Sequence, residues 1–162
     1  MPQEIERKFI LSKIPESLPN KKIKQGYLQL DKNRTVRVRS VIEPNNKISN
    51  LLTIKGPSSV SGMSRFEYEI TIPDDVATDM FKLCYKPLIE KTRHIYIHKD
   101  MKWELDEFHG ENQGLLVGEI ELKSESEKIE EPEFILKEVT GEKKYYNSML
   151  QQNPFKRWKE QS

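Results

Sequence analysis

Between residues 4 and 8 the chain reads Glu4-Ile5-Glu6-Arg7-Lys8, two carboxylates and an ammonium at every second position inside a run with the make-up of a strand. Successive strand side chains point to opposite faces, so this spacing sets all three charges on one face. The same period returns in Arg37/Arg39, Glu67/Glu69, Lys91/Arg93 and Glu119/Glu121. One such pair is an ordinary solvated strand face with cross-strand ion pairs, but a whole series in phase gathers acids and bases on a common face. Carboxylates with water suit Mg2+ and Mn2+, while Arg and Lys suit phosphate oxygens, so this pattern matches a site for a multiply charged anion and its metal ions.

The overall charge balance bears on the partner. Lys and Arg number 27 against 26 Asp and Glu, a net charge of +1, which argues against the broad basic surface of a sequence-independent nucleic-acid binder. The basic end Lys156-Arg157-Trp158-Lys159 is too short to change that expectation. At 162 residues and 35% hydrophobic, the chain can build one core and is short for two, so residues 1–162, with a helical C-terminal tail, are read as one domain. No basic region followed by a long apolar run opens the chain, and no stretch approaches the roughly 20 apolar residues of a membrane span. The single cysteine, Cys84, excludes an internal disulfide and falls in an apolar helical pattern with Met80, Phe81 and Leu83, the setting of a buried structural thiol. A reducing cytoplasm and no membrane partner are expected.

Alternation between breakers predicts strands over about 3–10, 22–31, 33–42, 48–56, 64–72, 91–98, 101–108 and 115–123. Asp31-Lys32-Asn33 and Lys99-Asp100 are joints short enough for hairpins. After Pro73, the acids Asp74 and Asp75 offer caps to a helix carrying Val76, Met80, Leu83 and Cys84, ended by Pro87. A second helical region is expected after Pro132 with Phe134, Ile135 and Leu136 buried, then a last helix over about 145–150 beyond Thr140-Gly141. The acidic stretch 124–131 reads as an exposed loop, and 56–62 as a hairpin connection without the GxxxxGK[ST] pattern of a phosphate loop.

Strand phase sets the expected architecture. Thr53 and Lys55 oppose Leu52 and Ile54, Glu67 and Glu69 oppose Phe66, Tyr68 and Ile70, and Glu104 and Asp106 oppose Trp103 and Leu105. If the apolar faces pack outward under helices, the charged faces turn inward. The fold expected is of the α+β class, mainly antiparallel β: an eight-stranded closed, tunnel-like barrel with a charged lumen and helices packed outside. Burying so many ions demands a wet lumen in which charges pair with each other, with metal and with a ligand. The competing architecture is an open sheet whose charged face meets water.

The ordered set Glu4-Ile5-Glu6-Arg7-Lys8-Phe9, Gln25-Gly26-Tyr27-Leu28, Arg37-Val38-Arg39, Leu52-Thr53-Ile54-Lys55-Gly56, Ser64-Arg65-Phe66-Glu67-Tyr68-Glu69, Lys91-Thr92-Arg93, Trp103-Glu104-Leu105-Asp106-Glu107-Phe108 and Gly118-Glu119-Ile120-Glu121 resembles the CYTH family of triphosphate tunnel metalloenzymes. The segment from Glu138-Val139-Thr140-Gly141 to Tyr146-Asn147 is similar to the tail of its short bacterial members, and the opening looks most like their inorganic tripolyphosphatases. The resemblance implies a tunnel that binds a triphosphate with Mg2+ or Mn2+ and cleaves a phosphoanhydride bond. It does not choose the substrate, because the family also holds thiamine triphosphatases, RNA triphosphatases and class IV adenylate cyclases.

Carried onto this chain, the resemblance implies a metal-binding set of Glu4, Glu6, Glu67, Glu69, Asp106, Glu119 and Glu121, with Asp106, Glu119 and Glu121 closest to metal and Glu4 and Glu6 next. It implies a phosphate-binding set of Lys8, Arg37, Arg39, Lys55, Lys91 and Arg93, which Arg65 joins because it shares a face with Glu67. Lys91, Glu119 and Glu121 are the expected catalytic residues. Lys91 would serve as a proton acceptor if Arg93 depressed its pKa, and otherwise would bind phosphate only. His94, His98 and His109 lack metal-ligand spacing and are expected to be structural, and Tyr145 and Tyr146 to pack a helix on the barrel.

The expected activity is divalent-metal-dependent hydrolysis of inorganic tripolyphosphate to pyrophosphate and phosphate. Alternatives are a nucleoside or other organic triphosphatase, a class IV adenylate cyclase, and a non-catalytic polyphosphate-binding module, which would keep the basic lining without so complete an acidic set. The cyclase needs a base-and-ribose pocket for which no motif speaks. No nucleic-acid partner is expected, and a homodimer is compatible with the sequence.

Overall fold

The computed structural model describes residues 3–31 and 33–160, so Lys32 of the first expected hairpin and residues 1, 2, 161 and 162 of the expected domain lie outside the described residues. Antiparallel strands β1 (Gln3–Leu11), β2 (Asn20–Asp31), β3 (Arg34–Ile42), β4 (Ile48–Ser58), β5 (Ser64–Thr71), β6 (Ile89–His98), β7 (Met101–Phe108) and β8 (Leu116–Glu121) pair in the spatial order 5-4-3-2-6-7-8-1. The first half of β1 then pairs with β5, Gln3 opposite Phe66 and Glu4 opposite Arg65, which closes the sheet into a barrel. Closure through this short pairing leaves an inner and an outer face.

Beyond Glu6, β1 turns from β5 to β9 (Ile135–Glu138), with Phe9 opposite Glu138 and Leu11 opposite Ile135. The helix expected after Pro132 is therefore an edge strand. Phe134 is buried as expected, but Leu136 stands 64% exposed on that edge. The chain ends with α2 (Asn147–Gln152), flanked by short 3-10 turns.

Outside the barrel, α1 (Asp74–Leu83) buries Ala77 and Phe81 against Val38, Ile72 and Cys84, with Leu28 and Leu52 packed alongside. Asp75 accepts the Val76 amide hydrogen at 3.0 Å, which satisfies one free donor of the helix start. Gly26 is needed beneath this helix because a Cβ there would stand 2.7 Å from Cys84 Sγ. A second outer cluster gathers Phe9, Leu11, Trp103, Leu105, Ile120 and Leu122 under Phe134. The expected helical coat is incomplete: Ile54, Phe66, Tyr68 and Ile70, on the outer face of β4 and β5, are 39–51% exposed.

The inner face is divided along its length. Cross-strand partners share a face, so Tyr27 opposite Arg37, Ile89 opposite Gln25, Phe108 opposite Lys91 and Val117 opposite Asp106 all point the way the charges point. These four pack with Tyr145 and Leu150 of the C-terminal segment into an apolar plug at one end of the barrel. The lumen is thus charged over part of its length rather than throughout. No described helix is long and apolar enough to cross a membrane.

Candidate active site

Seven strands deliver charge into one channel of about 170 Å3, lined by Glu4, Glu6, Arg37, Arg39, Lys55, Glu67, Glu69, Arg93, Glu104, Glu119 and Glu121, with Asn147 of α2. Register brings the groups together: Glu6 faces Glu121, Lys8 faces Glu119, Lys55 faces Glu67, and Glu104 faces Glu119. A smaller neighbouring hollow adds Lys8, Arg65, Tyr27 and Tyr146. It shares Ser58, Gly62, Arg65 and Tyr146 with a side compartment of about 600 Å3 lined by the β4–β5 connection and α2. That loop is held close to the C-terminal segment, since a Cβ on Gly62, which has φ +80°, would lie 2.5 Å from Gly141 Cα.

Part of the lumen is fully ion-paired. Arg93 grips Asp106 with two hydrogen bonds of 2.8 Å, and Lys91 Nζ lies 2.8 Å from the same carboxylate and donates to Asn147 Oδ1 at 3.1 Å. Burial opposes charge on Asp106, yet Arg93 and Lys91 override it and hold the carboxyl down to about 2. Burial is also the largest influence on Lys91, and although Asp106 opposes it, Arg93 and Arg39 add to it and the amine is pushed down to about 7. Lys8 Nζ sits 3.5 Å from Glu119 and donates to the Tyr145 carbonyl at 3.3 Å. Burial raises the cost of charge on Glu119, but Lys8, Arg93 and Lys91 prevail and keep it well below the usual carboxylate range.

The remaining charges are less completely compensated. Burial, then Glu119 and Glu4, push Glu6 up to about 8. Burial likewise raises Glu4, helped by Glu67, and raises Glu121, helped by Glu4 and Glu104. Lys55 reaches Glu4 at 3.0 Å and Glu67 at 3.5 Å, yet Glu67 Oε2 has no hydrogen-bond partner. Among the arginines, burial, then Arg37 and Arg93, drive Arg39 down to about 9. Arg39 donates to Gln25 at 2.9 Å, while the buried Nε atoms of Arg37 and Arg65 donate to nothing. Arg37 otherwise reaches Thr53 at 3.3 Å and Glu69 at 3.7 Å.

Among the described residues no three His, Cys, Asp or Glu side chains converge into a ready-made metal cage. The donor set nevertheless fits Mg2+ or a similar hard cation, which keeps several waters and binds through one or two carboxylates plus substrate phosphates. Glu4, Glu6 and Glu121, raised first by burial and then by neighbouring carboxylates, are acids whose charged form a divalent cation would favour.

Of the expected residues, Glu4, Glu6, Glu67, Glu69, Glu119, Glu121, Arg37, Arg39, Lys55 and Arg93 line the channel, and Lys8 and Arg65 line the hollow beside it. Asp106 differs from its expected place near metal: it is 0% exposed and both its oxygens are held by Arg93 and Lys91. Lys91, expected on the phosphate, is 1% exposed behind Asp106 and Asn147. The histidines stay outside the channel: His109 meets Thr92 at 2.8 Å, His94 lies 3.5 Å from Glu107, and His98 stacks on Tyr96. Cys84, under α1, is raised by burial. Sequence reasoning missed Glu104, which shares the face of Asp106 and stands 3.4 Å from Arg93; its strand phase was the available signal. The expected site set also left out Asn147, which lines the channel, and Gln25 and Thr53, which hold Arg39 and Arg37.

Comparison with known proteins adds four findings. A family model described as CYTH domain matches residues 2–152. The inorganic triphosphatase of Acetivibrio thermocellus is 44% identical, the match covering 99% of this chain and 100% of that protein. The crystal structure of the inorganic triphosphatase NE1496 superposes with a TM-score of 0.65 at 30% identity, covering 91% of this chain and 97% of that one. A conserved protein from Pyrococcus furiosus, 22% identical with a TM-score of 0.57, covers 76% of this chain and 80% of its own and shares the fold.

Proposed function

The chain belongs to the CYTH domain family, and from that membership and the charge pattern of its lumen we propose that it hydrolyses inorganic tripolyphosphate to pyrophosphate and phosphate with the help of a divalent cation. The carrying observation is that incompletely paired arginines and carboxylates face one channel and the hollow beside it. The Nε atoms of Arg37 and Arg65 are buried with no hydrogen-bond partner and Arg39 is driven down by burial and its arginine neighbours, while Glu4, Glu6 and Glu121 stay raised by burial and neighbouring carboxylates even though Lys55 reaches Glu4. A linear triphosphate with its metal answers both. The names of the relatives in Acetivibrio thermocellus and of NE1496 support this reading.

In the proposed reaction a water oxygen attacks the terminal phosphorus, the bridging P–O bond breaks, and its electron pair leaves with pyrophosphate. Arg37, Arg39, Arg65, Lys55 and Lys8 bind the phosphate oxygens, the arginines through two-pronged hydrogen bonds and the lysines as compact charges. Glu6 and Glu121, opposite one another in register, would hold a divalent cation with Glu4 nearby, and Glu67, Glu69 and Glu119 complete the acidic wall. When bound, Mg2+ or Mn2+ supplies positive charge against the phosphates and makes water more acidic. Asp106 is assigned a positioning role, keeping Arg93 aimed into the channel. Lys91, ion-paired with Asp106 and donating to Asn147, is assigned a buried positive charge behind the phosphates, and the proton of the attacking water leaves to solvent. A reducing cytoplasm suits the unpaired Cys84.

The side compartment favours a second reading, because its space beside Arg65 and Tyr146 could take the organic part of a nucleoside or similar triphosphate. Measuring phosphate release from tripolyphosphate, ATP and thiamine triphosphate separates the two. A kcat/KM highest on tripolyphosphate supports the proposal, and one highest on an organic triphosphate replaces it.

A further inference from the structure

Among the described residues lining the channel, Asn147 alone comes from outside the barrel strands and alone is uncharged. Its carboxamide has a fixed orientation. A protonated lysine can only donate hydrogen bonds, and Lys91 Nζ, held against Asp106, donates to Asn147 Oδ1 at 3.1 Å. The amide oxygen is therefore taken by Lys91, and since Asn147 lines the channel the NH2 group is the end left to meet a ligand. The ammonium polarises the amide, which makes its N–H bonds stronger donors.

The segment that carries Asn147 is tightly seated. Tyr145 and Leu150 on either side are buried in the plug, the Tyr145 ring packs edge-on to Trp158 at 5.2 Å, and Gln151 donates to the Lys86 carbonyl at 2.8 Å. A donor held this firmly requires little ordering when a ligand arrives.

We propose that Asn147 is a substrate-binding residue: its side-chain nitrogen donates to a phosphate oxygen of the bound triphosphate, so the C-terminal segment completes the site that the barrel begins. The inference rests on the triphosphatase reading. It extends the positive field of Lys91 to the phosphate by way of a neutral amide while Lys91 itself stays buried.

Three proteins, wild type, Asn147→Ala and Asn147→Asp, test it by calorimetric titration with tripolyphosphate in the absence of metal, alongside thermal unfolding and hydrolysis kinetics. Asn147→Ala removes the donor and should weaken binding roughly tenfold, the effect of one lost charge-assisted hydrogen bond. Asn147→Asp keeps an oxygen for Lys91, so it should unfold no earlier than the alanine variant yet bind tripolyphosphate still more weakly, because it sets an anion against the phosphate. A role confined to satisfying Lys91 gives the opposite order, with aspartate better than alanine, and that result overturns the inference. Binding by folded Asn147→Ala within about twofold of wild type also overturns it. Should the alanine variant not fold, the aspartate variant decides alone, and wild-type affinity there is refutation. If wild type neither binds nor hydrolyses tripolyphosphate, the triphosphatase reading falls first and the role of Asn147 with it.

Discussion

Replacing Asp106 with Asn separates a positioning carboxylate from a metal ligand. The substitution keeps the size and one acceptor oxygen but removes the charge that lies 2.8 Å from both Arg93 and Lys91. Taking one partner from a buried ion pair costs about 3–5 kcal/mol. At roughly 2–4 °C per kcal/mol for a chain of this length, unfolding should come about 6–20 °C earlier. The loss should depend on pH. Lys91 already titrates near 7 in the fold against an ordinary 10.5, so the unfolded chain binds more protons between those values and stability rises with pH across that window. Asp106 is what raises Lys91, so its removal lowers the folded pKa further and extends the window downward. The difference between variant and wild type should therefore be larger at pH 6 than at pH 9, where Lys91 is neutral in both folded proteins and Arg93 alone feels the change. Calorimetric melting of the metal-free proteins at the two pH values measures this. A metal-ligating carboxylate behaves in the opposite way, since deleting one charge from a crowd of acids stabilises the metal-free protein and excess cation restores turnover. An apo Asp106→Asn that melts no earlier than wild type would refute the positioning role.

Glu6, raised from 4.5 to about 8, is protonated in the fold over a range where the unfolded chain has lost the proton. Its contribution to the metal-free protein is full below about 4.5 and disappears as pH rises through about 8, so melting temperature should fall across that window and Glu6→Gln should flatten the fall; a wild-type profile identical to that of the variant contradicts the assignment. Arg39→Ala should lower kcat/KM on tripolyphosphate about tenfold to a hundredfold, from the loss of roughly 1.5–3 kcal/mol of charge-assisted hydrogen bonding, and leave the fold intact. Unchanged kinetics at limiting substrate would remove Arg39 from the site. Glu121→Gln should weaken divalent-ion affinity and turnover together, with partial recovery at high metal concentration and unaltered circular dichroism. A folded variant with the wild-type metal optimum and rate would exclude Glu121 as a ligand.

Much of the architecture was legible because strand phase is a local property. Glu4, Glu6 and Lys8 fall on one face by spacing alone, and the structure places them inward with Arg37, Arg39, Glu67 and Glu69. What escaped depended on distant partners. Phe134, Ile135 and Leu136 form an unbroken apolar run that fits a helix or a strand, and only pairing with Phe9 through Leu11 decides for the strand. Asp106 shares its inward face with Glu104, but the register that sets Arg93 directly opposite Asp106, and so closes both oxygens, is not contained in spacing within β7. The apolar plug was hidden for a similar reason. Tyr27, Ile89, Phe108 and Val117 come from separate strands and meet through the closure of the barrel and the C-terminal segment. Asn147 is a neutral residue on a short helix, and its importance lies in contact with Lys91, 56 positions earlier.

The central claim is hydrolysis in this channel, and phosphorus NMR of the purified protein with tripolyphosphate measures it directly. With Mg2+ or Mn2+ present, the central and terminal phosphorus signals of tripolyphosphate should decay as pyrophosphate and orthophosphate grow in equal molar amounts, and chelation of the metal should stop the reaction. Tripolyphosphate that persists unchanged with either metal, while still bound by the protein, would contradict the account and leave a polyphosphate-binding module in its place.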